Sequence, residues 1–144
     1  MNPNRNAPAP PPAAPSPSRA KILLAEDDRF LCKAASAALR RKGWEVVVAG
    51  DGEAALEAVR AGGVDLVLLD LILPRLDGFE VLARLRENPA TARTRVIVLT
   101  NLGQVSDIRR ARECGAEGYM VKGELDLADL TARVEGVLAA RPAP

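Results

Sequence analysis

The chain of 144 residues carries 20 Lys and Arg against 19 Asp and Glu, and 48% of its residues are hydrophobic. These values are typical of one globular domain and give no basic surface for nucleic acid or an anionic membrane. The chain has no histidine, the commonest metal ligand and general base, which argues against a zinc site or a catalytic triad. Any metal is therefore expected to be a hard cation bound by oxygen atoms.

Both ends of the chain have the composition of tails. Residues 1–19 hold seven of the 11 prolines and no apolar signal segment, which predicts a disordered Pro/Ala-rich tail. Residues 141–144 are expected to form a short C-terminal tail, and residues 20–140 form the folded domain. No apolar run is long enough to cross a bilayer. We therefore expect a cytoplasmic protein, without membrane insertion, in which Cys32 and Cys114 are reduced thiols on separate helices.

Short apolar runs alternate with longer segments of helical periodicity between these tails. The predicted strands are 21–25, 44–49, 65–70, 95–100 and 118–122. The predicted helices are 30–43, 51–63, 78–89, 106–116 and 125–140, with N-caps at Asp51, Ser106 and Asp126. This alternation predicts a parallel sheet covered by helices on both faces.

Polar residues gather at the ends of four predicted strands. The first strand ends in Glu26, Asp27 and Asp28, the third in Asp70, the fourth in Thr100 and the fifth in Lys122. Ligands of open parallel sheets bind beyond the carboxyl ends of the strands. If the first and third strands are neighbours, their carboxylates repel one another, and a divalent cation such as Mg²⁺ removes that repulsion.

Taken alone, each of these residues has an ordinary structural explanation: acids favour the first turn of a helix, threonine packs in strands, and lysine is commonly solvated. Together they offer a cation site, an ammonium group and a hydroxyl for a phosphoryl group. One carboxylate remains free to attack that group. The combination therefore indicates phosphoryl transfer.

The segments LLAEDD, DLVLLDLILPRLDGFEVL, VIVLT and GYMVK together resemble the receiver domain of two-component response regulators, over about residues 20–140. The resemblance implies a flavodoxin-like (βα)5 three-layer sandwich with a parallel sheet in the order 2-1-3-4-5. It also implies Mg²⁺-dependent phosphoryl transfer from a histidine kinase or a histidine phosphotransfer protein to one aspartate. Such a chain is a phosphoacceptor that catalyses its own phosphotransfer and dephosphorylation, and not an enzyme acting on other substrates.

The resemblance assigns the acceptor and the metal ligands by position. Asp70 resembles the phosphoacceptor and a metal ligand, and Ile72 would give its backbone carbonyl to the metal. Asp27 and Glu26 resemble the acidic pair, with Asp27 bound directly and Glu26 through water. Asp28 falls one place too late for that pair and is expected to start the first helix.

The resemblance also assigns the residues that respond to phosphorylation. Thr100 resembles the switch hydroxyl, and Lys122 resembles the lysine that pairs with the phosphoryl group. Tyr119 resembles the aromatic residue that swings inward when the threonine moves. The turn after the acceptor strand is matched by Pro74, Asp77 and Gly78.

Two residues depart from the family pattern, and two others bear on the phosphoryl lifetime. Gly123 follows the lysine where a cis proline is usual, which predicts a looser loop and a less firmly aimed Lys122. Asn101 follows the switch threonine in place of a small residue and can narrow access to the phosphoryl group. Ile72 and Leu102 are expected to flank the path of an attacking water. Both side chains are apolar and cannot orient this water, so we expect slow self-dephosphorylation.

No effector segment follows the last predicted helix, so a stand-alone single-domain response regulator is expected, with no nucleic-acid partner. Its output would be phosphorylation-dependent binding of a downstream protein through the fourth helix, fifth strand and fifth helix, near Arg109, Arg110 and Arg112. The alternative for these arginines is a solvated helix face without a specific partner.

Two alternatives remain within the receiver class: a phosphorelay intermediate that passes the phosphoryl group onward, and a receiver-like module that binds partners without phosphorylation. Two other classes fit less well. An aspartate-nucleophile phosphatase needs a second aspartate where this chain has Ile72. A flavodoxin needs a phosphate-binding loop after the first strand, where the acids 26–28 would repel a phosphate.

Overall fold

The computed structural model describes residues 19–101 and 105–140. The strands are β1 (Lys21–Ala25), β2 (Glu45–Ala49), β3 (Leu66–Asp70), β4 (Arg95–Thr100) and β5 (Gly118–Val121). The helices are α1 (Arg29–Arg41), α2 (Gly52–Arg60), α3 (Gly78–Glu87), α4 (Val105–Glu113) and α5 (Leu127–Ala139). A 3₁₀ turn at Lys122–Glu124 joins β5 to the segment before α5.

The five strands form one parallel sheet in the order β2-β1-β3-β4-β5, which confirms the predicted flavodoxin-like topology. Ala25 pairs with Leu69 across β1 and β3, and Asp70 pairs with Leu99 across β3 and β4. The carboxyl ends of β1, β3 and β4 therefore meet at one edge of the sheet. This is the juxtaposition on which the predicted acidic site depends.

The core lies in two layers, one on each face of the sheet. Alternate strand residues such as Leu23, Val67 and Val98 pack against α2, α3 and Ala111 of α4. The intervening strand residues pack against α1 and α5. All five residues of β3 are buried, as a strand covered on both faces requires.

Aspartate side chains begin four of the five helices, three of them at predicted positions. Asp28 accepts hydrogen bonds from the backbone N–H groups of Phe30 (2.9 Å) and Leu31 (3.2 Å), so it starts α1 as expected. Asp51 and Asp126 cap α2 and α5 in the same way. Asp77, predicted only as part of the turn after β3, caps α3 by accepting from the Glu80 N–H at 2.9 Å. A carboxylate there satisfies donors that the first helical turn leaves unpaired.

The N-cap predicted at Ser106 is wrong. Helix α4 begins at Val105, so Ser106 lies inside it, whereas an N-cap residue has a non-helical backbone. The predicted strand 118–122 is one residue too long, because Lys122 already belongs to the 3₁₀ turn. Cys32 lies in α1 and Cys114 directly follows α4, and both are free thiols.

Gly43 and Gly62 each lie two residues after the end of a helix, α1 and α2, with φ values of 93° and 90°. These values lie in the left-handed region, which favours glycine after a helix C-terminus. Within the residues that the structure describes, no helix is both long enough and apolar enough to cross a membrane. Of the predicted tail 1–19 only Arg19 is among the described residues, and the predicted tail 141–144 lies outside them.

Gly78 allows the start of α3 to pack against the backbone that follows β3. A Cβ atom at this position would lie 2.5 Å from the Cα of Leu71 and still closer to the carbonyl oxygen of Asp70. Because backbone would have to move, we expect Gly78→Ala to lower the free energy of unfolding by about 2 kcal/mol. Urea denaturation of the purified protein measures this loss.

Gly136→Ala is the matched control for that substitution. Gly136 is exposed in α5, and an added Cβ would meet no heavy atom within 4 Å. Alanine is the better helix former, so this variant should gain about 0.5–1 kcal/mol. Equal effects of the two substitutions would show that backbone crowding at Gly78 does not matter.

Candidate functional site

Three carboxylates meet at the carboxyl edge of the sheet. One carboxylate oxygen from each of Glu26, Asp27 and Asp70 lies within 4.8 Å of the others. Glu26 and Asp70 are 1% and 3% exposed, whereas Asp27 faces solvent. The structure therefore brings together the three acidic side chains that the sequence nominated for a metal.

Lys122 binds two of these carboxylates. Its Nζ lies 2.6 Å from Oδ2 of Asp70 and also contacts Oε1 of Glu26. Lys122 thus reaches both carboxylates with Gly123 directly after it, and the looser loop expected from Gly123 stays a prediction. Lys122 is the first residue of the 3₁₀ turn Lys122–Glu124. No cis peptide bond occurs in the described ranges, in keeping with Gly123 in place of proline.

The loop after β3 orients the Asp70 carboxylate. The backbone N–H of Ile72 donates to Oδ1 of Asp70 at 3.0 Å, while Lys122 holds Oδ2. The Ile72 side chain is 57% exposed at the mouth of the site. Two backbone hydrogen bonds hold this loop in turn. The Gly78 N–H donates to the Leu71 carbonyl at 2.9 Å, and the Gly52 N–H donates to the Pro74 carbonyl.

The two predicted switch residues lie on β4 and β5. Thr100 is buried at the end of β4 and pairs with Val121 of β5. Tyr119 is partly buried and packs against the core layer beneath α2, α3 and α4. Asn101 is exposed next to Thr100, and Leu102 lies outside the described residues.

Burial makes the acidic site costly to ionise. Burial in the first place, and then the adjacent carboxyl group of Asp70, raise the pKa of Glu26 to about 8, although Lys122 partly opposes this. Burial acts to lower the pKa of Lys122, but hydrogen bonds and charge attraction from Asp70 and Glu26 outweigh it, so that pKa is raised. Lys122 therefore stays charged beside Asp70 and Glu26.

Comparison with known proteins identifies the domain. Residues 22–135 match the family model of the response regulator receiver domain. The chain belongs to this family.

A gliding motility regulatory protein of Myxococcus xanthus is 38% identical over 122 residues, or 85% of this chain and 16% of the relative. The transcriptional activator protein PfeR of Pseudomonas aeruginosa is 41% identical over 124 residues, or 86% of this chain and 38% of the relative. The chain thus spans much less than two thirds of these relatives.

Solved receiver domains have the same fold as this one. The receiver domain of the sensor histidine kinase PA1611 from Pseudomonas aeruginosa, with a magnesium ion in its active-site cleft, is 26% identical with a TM-score of 0.77. The BeF3-activated DrrB receiver domain is 30% identical with a TM-score of 0.74. Each match covers 85% of this chain and 99% of the other.

The residues of this receiver domain fit a magnesium ion. Oε2 of Glu26 is buried and has no hydrogen-bond partner among the described residues, an expensive state for a carboxylate oxygen. The acidic side chains of Glu26, Asp27 and Asp70 outnumber the one ammonium group of Lys122. All the candidate ligand atoms are oxygens, which Mg²⁺ prefers. The backbone carbonyl of Ile72 remains a predicted ligand.

Binding of Mg²⁺ should release about one proton at pH 7, because the charge of the metal favours the ionised form of Glu26, whose pKa burial raises to about 8. Isothermal titration calorimetry in buffers of different ionisation enthalpy measures this proton. At pH 9 Glu26 is already ionised, and the release should disappear. Glu26→Gln should remove it at pH 7. Equal proton release at both pH values in the unmodified chain would contradict the assignment.

Sequence reasoning missed several contacts of charged residues. The guanidinium of Arg110 lies 4.1 Å from the centroid of the Phe79 ring. The guanidinium of Arg112 lies 5.6 Å from the centroid of the Tyr119 ring. Two arginines of the predicted output face thus have aromatic partners within the domain. Arg86 donates four hydrogen bonds to backbone carbonyls. No sequence motif marks these contacts, because backbone carbonyls occur at every residue.

Proposed function

We propose that Asp70 accepts a phosphoryl group from a histidine kinase or a histidine phosphotransfer protein in a Mg²⁺-dependent reaction. The observation that carries this proposal is a buried aspartate with an ammonium group 2.6 Å from one oxygen and two further acids beside it. That environment orients a carboxylate and can neutralise a transferred phosphoryl group. Membership of the receiver family supports the same chemistry.

Asp70 acts as the nucleophile in this reaction. One of its oxygens forms a bond to phosphorus while the bond from phosphorus to the donor nitrogen breaks, and the donor keeps that electron pair. The Ile72 N–H and Lys122 hold the two oxygens in a fixed orientation before attack. Lys122 can then pair with a phosphoryl oxygen, since it already lies beside the reacting carboxylate.

Glu26, Asp27 and Asp70 would hold the metal ion in this mechanism. A bound Mg²⁺ supplies positive charge that offsets the anionic donor and the developing charge on the phosphoryl oxygens. Burial of Glu26 and Asp70 strengthens these electrostatic interactions by limiting water at the reacting group.

The protein is thus a phosphoacceptor that promotes reactions of its own side chain, and not an enzyme with a separate substrate. Its output is phosphorylation-dependent binding of a downstream protein through α4, β5 and α5. Action in the cytoplasm stays a prediction.

Intact mass spectrometry after incubation with acetyl phosphate tests the proposal. The unmodified chain should gain the mass of one phosphoryl group with Mg²⁺ and none when the metal is chelated. Asp70→Asn keeps a side chain of the same shape and should gain none in either condition. Phosphorylation of Asp70→Asn, or a gain that does not depend on Mg²⁺, would overturn the proposed reaction.

Ile72→Asn should shorten the lifetime of the phosphorylated protein. Ile72 presents an exposed apolar side chain at the mouth of the site, and such a group cannot orient an attacking water. An amide can, and one well-placed polar group commonly accelerates such a step about 10²-fold or more. The decay of phosphorylated protein after removal of acetyl phosphate measures the lifetime. An Ile72→Val control should decay like the unmodified chain, and equal decay of Ile72→Asn would remove the hypothesis.

A further inference from the structure

Strand β2 forms one edge of the sheet, with β1 as its neighbour. The Glu45 N–H and the Ala49 carbonyl make hydrogen bonds of 2.9 and 3.0 Å to residues that flank β1, so both groups point into the sheet. Because main-chain groups alternate in direction along a strand, those of Val46 and Val48 point away from the sheet. Within the residues that the structure describes, no strand pairs with this side of β2.

A groove of about 650 Å³ lies between this edge and helix α1. Val46 packs in the core layer beneath α1 and α5, so Val48, two residues further on, faces the same side of the sheet. Val48 lines the groove and is 44% exposed. Nη2 of Arg40 in α1 donates to the Val46 carbonyl at 3.2 Å, as expected for a carbonyl that points outward. The groove therefore combines outward main-chain groups with an exposed apolar side chain.

The α1 wall of the groove is positively charged. Arg29, Lys33 and Arg40 line it and are exposed, and none of the three has an ion pair among the described residues. Helix α1 contains no acidic residue. Glu26 and Asp27 line the groove where it meets the acidic site. The three cations along α1 offer complementary charge to acidic side chains of a bound segment.

Other parts of this chain do not fit that charge. Antiparallel pairing of two β2 strands would place both α1 helices on one face of the joined sheet, where their cations would repel one another. The one acidic side chain of β2, that of Glu45, lies on the opposite face from Val46 and cannot pair with them. Residues 1–18 contain no acidic residue and seven prolines, which lack the N–H group that a strand donates.

We propose that the edge of β2 and the neighbouring face of α1 bind an extended peptide segment of a partner protein, with acidic side chains at alternate positions. The segment adds a strand to the sheet through main-chain hydrogen bonds to Val46 and Val48. Its acidic side chains face α1 and pair with Arg29, Lys33 and Arg40. Asp70 takes no part in this binding, so the interaction is separate from the proposed phosphoryl transfer.

Fluorescence anisotropy of labelled peptides added to the full chain tests the proposal. The probe is a capped peptide of about six residues in which glutamate and valine alternate, and the comparison peptide has lysine in place of each glutamate. The acidic peptide should bind with a Kd below about 1 mM, and the basic peptide should bind more weakly than that. Hydrogen-exchange NMR should show protection of the outward Val48 N–H when the acidic peptide is added.

Two pairs of variants separate the charge from the main-chain contacts. Lys33→Glu should weaken the acidic peptide about five-fold, whereas Arg41→Glu, on the same helix but outside the groove lining, should weaken it less than about two-fold. Val48→Pro removes the outward N–H without removing a hydrogen bond to β1, and should also weaken binding about five-fold. Val48→Ala shortens the side chain and keeps that N–H, so it should bind more tightly than Val48→Pro.

Equal affinity for the two peptides, or equal losses in Lys33→Glu and Arg41→Glu, would overturn the proposal because the charge of α1 would then select nothing. An unprotected Val48 N–H with the acidic peptide bound would overturn the strand pairing, even if Val48→Pro does not fold. A dimer in analytical ultracentrifugation that Lys33→Glu strengthens would replace the partner segment by a second copy. None of these results changes the phosphorylation of Asp70, so the two proposals fail separately.

Discussion

Replacement of Arg86 by methionine is expected to lower the free energy of unfolding by about 3 kcal/mol. The Arg86 guanidinium donates to the carbonyls of Cys114 (2.9 Å) and Gly115 (3.1 Å) after α4. It also donates to the carbonyls of Ala92 (3.0 Å) and Thr94 (2.7 Å) before β4. One side chain of α3 thus joins two other segments of the chain.

We expect a large effect because the Arg86 guanidinium is partly buried and has no carboxylate partner among the described residues. Among the described residues, Arg86 has no ion pair with an acid, and burial lowers the pKa of its guanidinium. Its charge is stabilised by carbonyl oxygens, and hydrogen bonds to charged groups are stronger than neutral ones. Methionine would fill much of the volume and leave all four carbonyls without this donor.

Arg84→Met is the matched control, since it makes the same substitution in the same helix. Arg84 pairs with Glu80 one turn away, and both side chains are about half exposed. Such pairs contribute little, so this variant should lose about 0.5 kcal/mol or less. Urea denaturation of both variants at pH 7 makes the comparison. A loss in Arg86→Met no larger than in Arg84→Met would contradict the assigned role.

Lys122→Met is expected to slow phosphorylation by acetyl phosphate about 10²-fold, because the ammonium group beside the reacting carboxylate is lost. The same variant should bind Mg²⁺ no more weakly than the unmodified chain. Lys122 occupies oxygens of Glu26 and Asp70, so its removal frees two candidate ligands. The rate of mass gain and a calorimetric Mg²⁺ titration measure the two effects separately.

Lys42→Met controls for the loss of one positive charge. Lys42 is exposed at the end of α1 and has no ion pair in the part of the chain that the structure describes. Its phosphorylation rate should equal that of the unmodified chain. If Lys122→Met were phosphorylated within two-fold of that rate, Lys122 would hold the unphosphorylated site together without assisting transfer.

The sheet and the acidic site were predictable because their signals are local. A continuous apolar run identified β3, and the residue that ends it, Asp70, lies at the edge where parallel strands bring their carboxyl ends together. Asp27 and Lys122 followed from the same rule. Each of these positions depends on its own strand and on one general property of parallel sheets.

Contacts between distant segments were not predictable in this way. Arg86 and Cys114 are 28 residues apart, and the acceptor is a carbonyl group that every residue carries. The ion pair between Lys122 and Glu26 depends on how deeply Glu26 is buried, which its neighbours Asp27 and Asp28 do not reveal. Ser106 shows the reverse case, in which a favourable capping residue lies inside a helix that begins one residue earlier.

The position of the phosphoryl group tests the central claim most directly. Borohydride reduces an aspartyl phosphate to homoserine, and peptide mass spectrometry then identifies the modified residue. After phosphorylation with acetyl phosphate and Mg²⁺, homoserine should occur at position 70 and at no other aspartate. Homoserine at Asp27 or Asp28, or phosphorylated protein that yields none at position 70, would contradict the assignment of Asp70 as the phosphoacceptor.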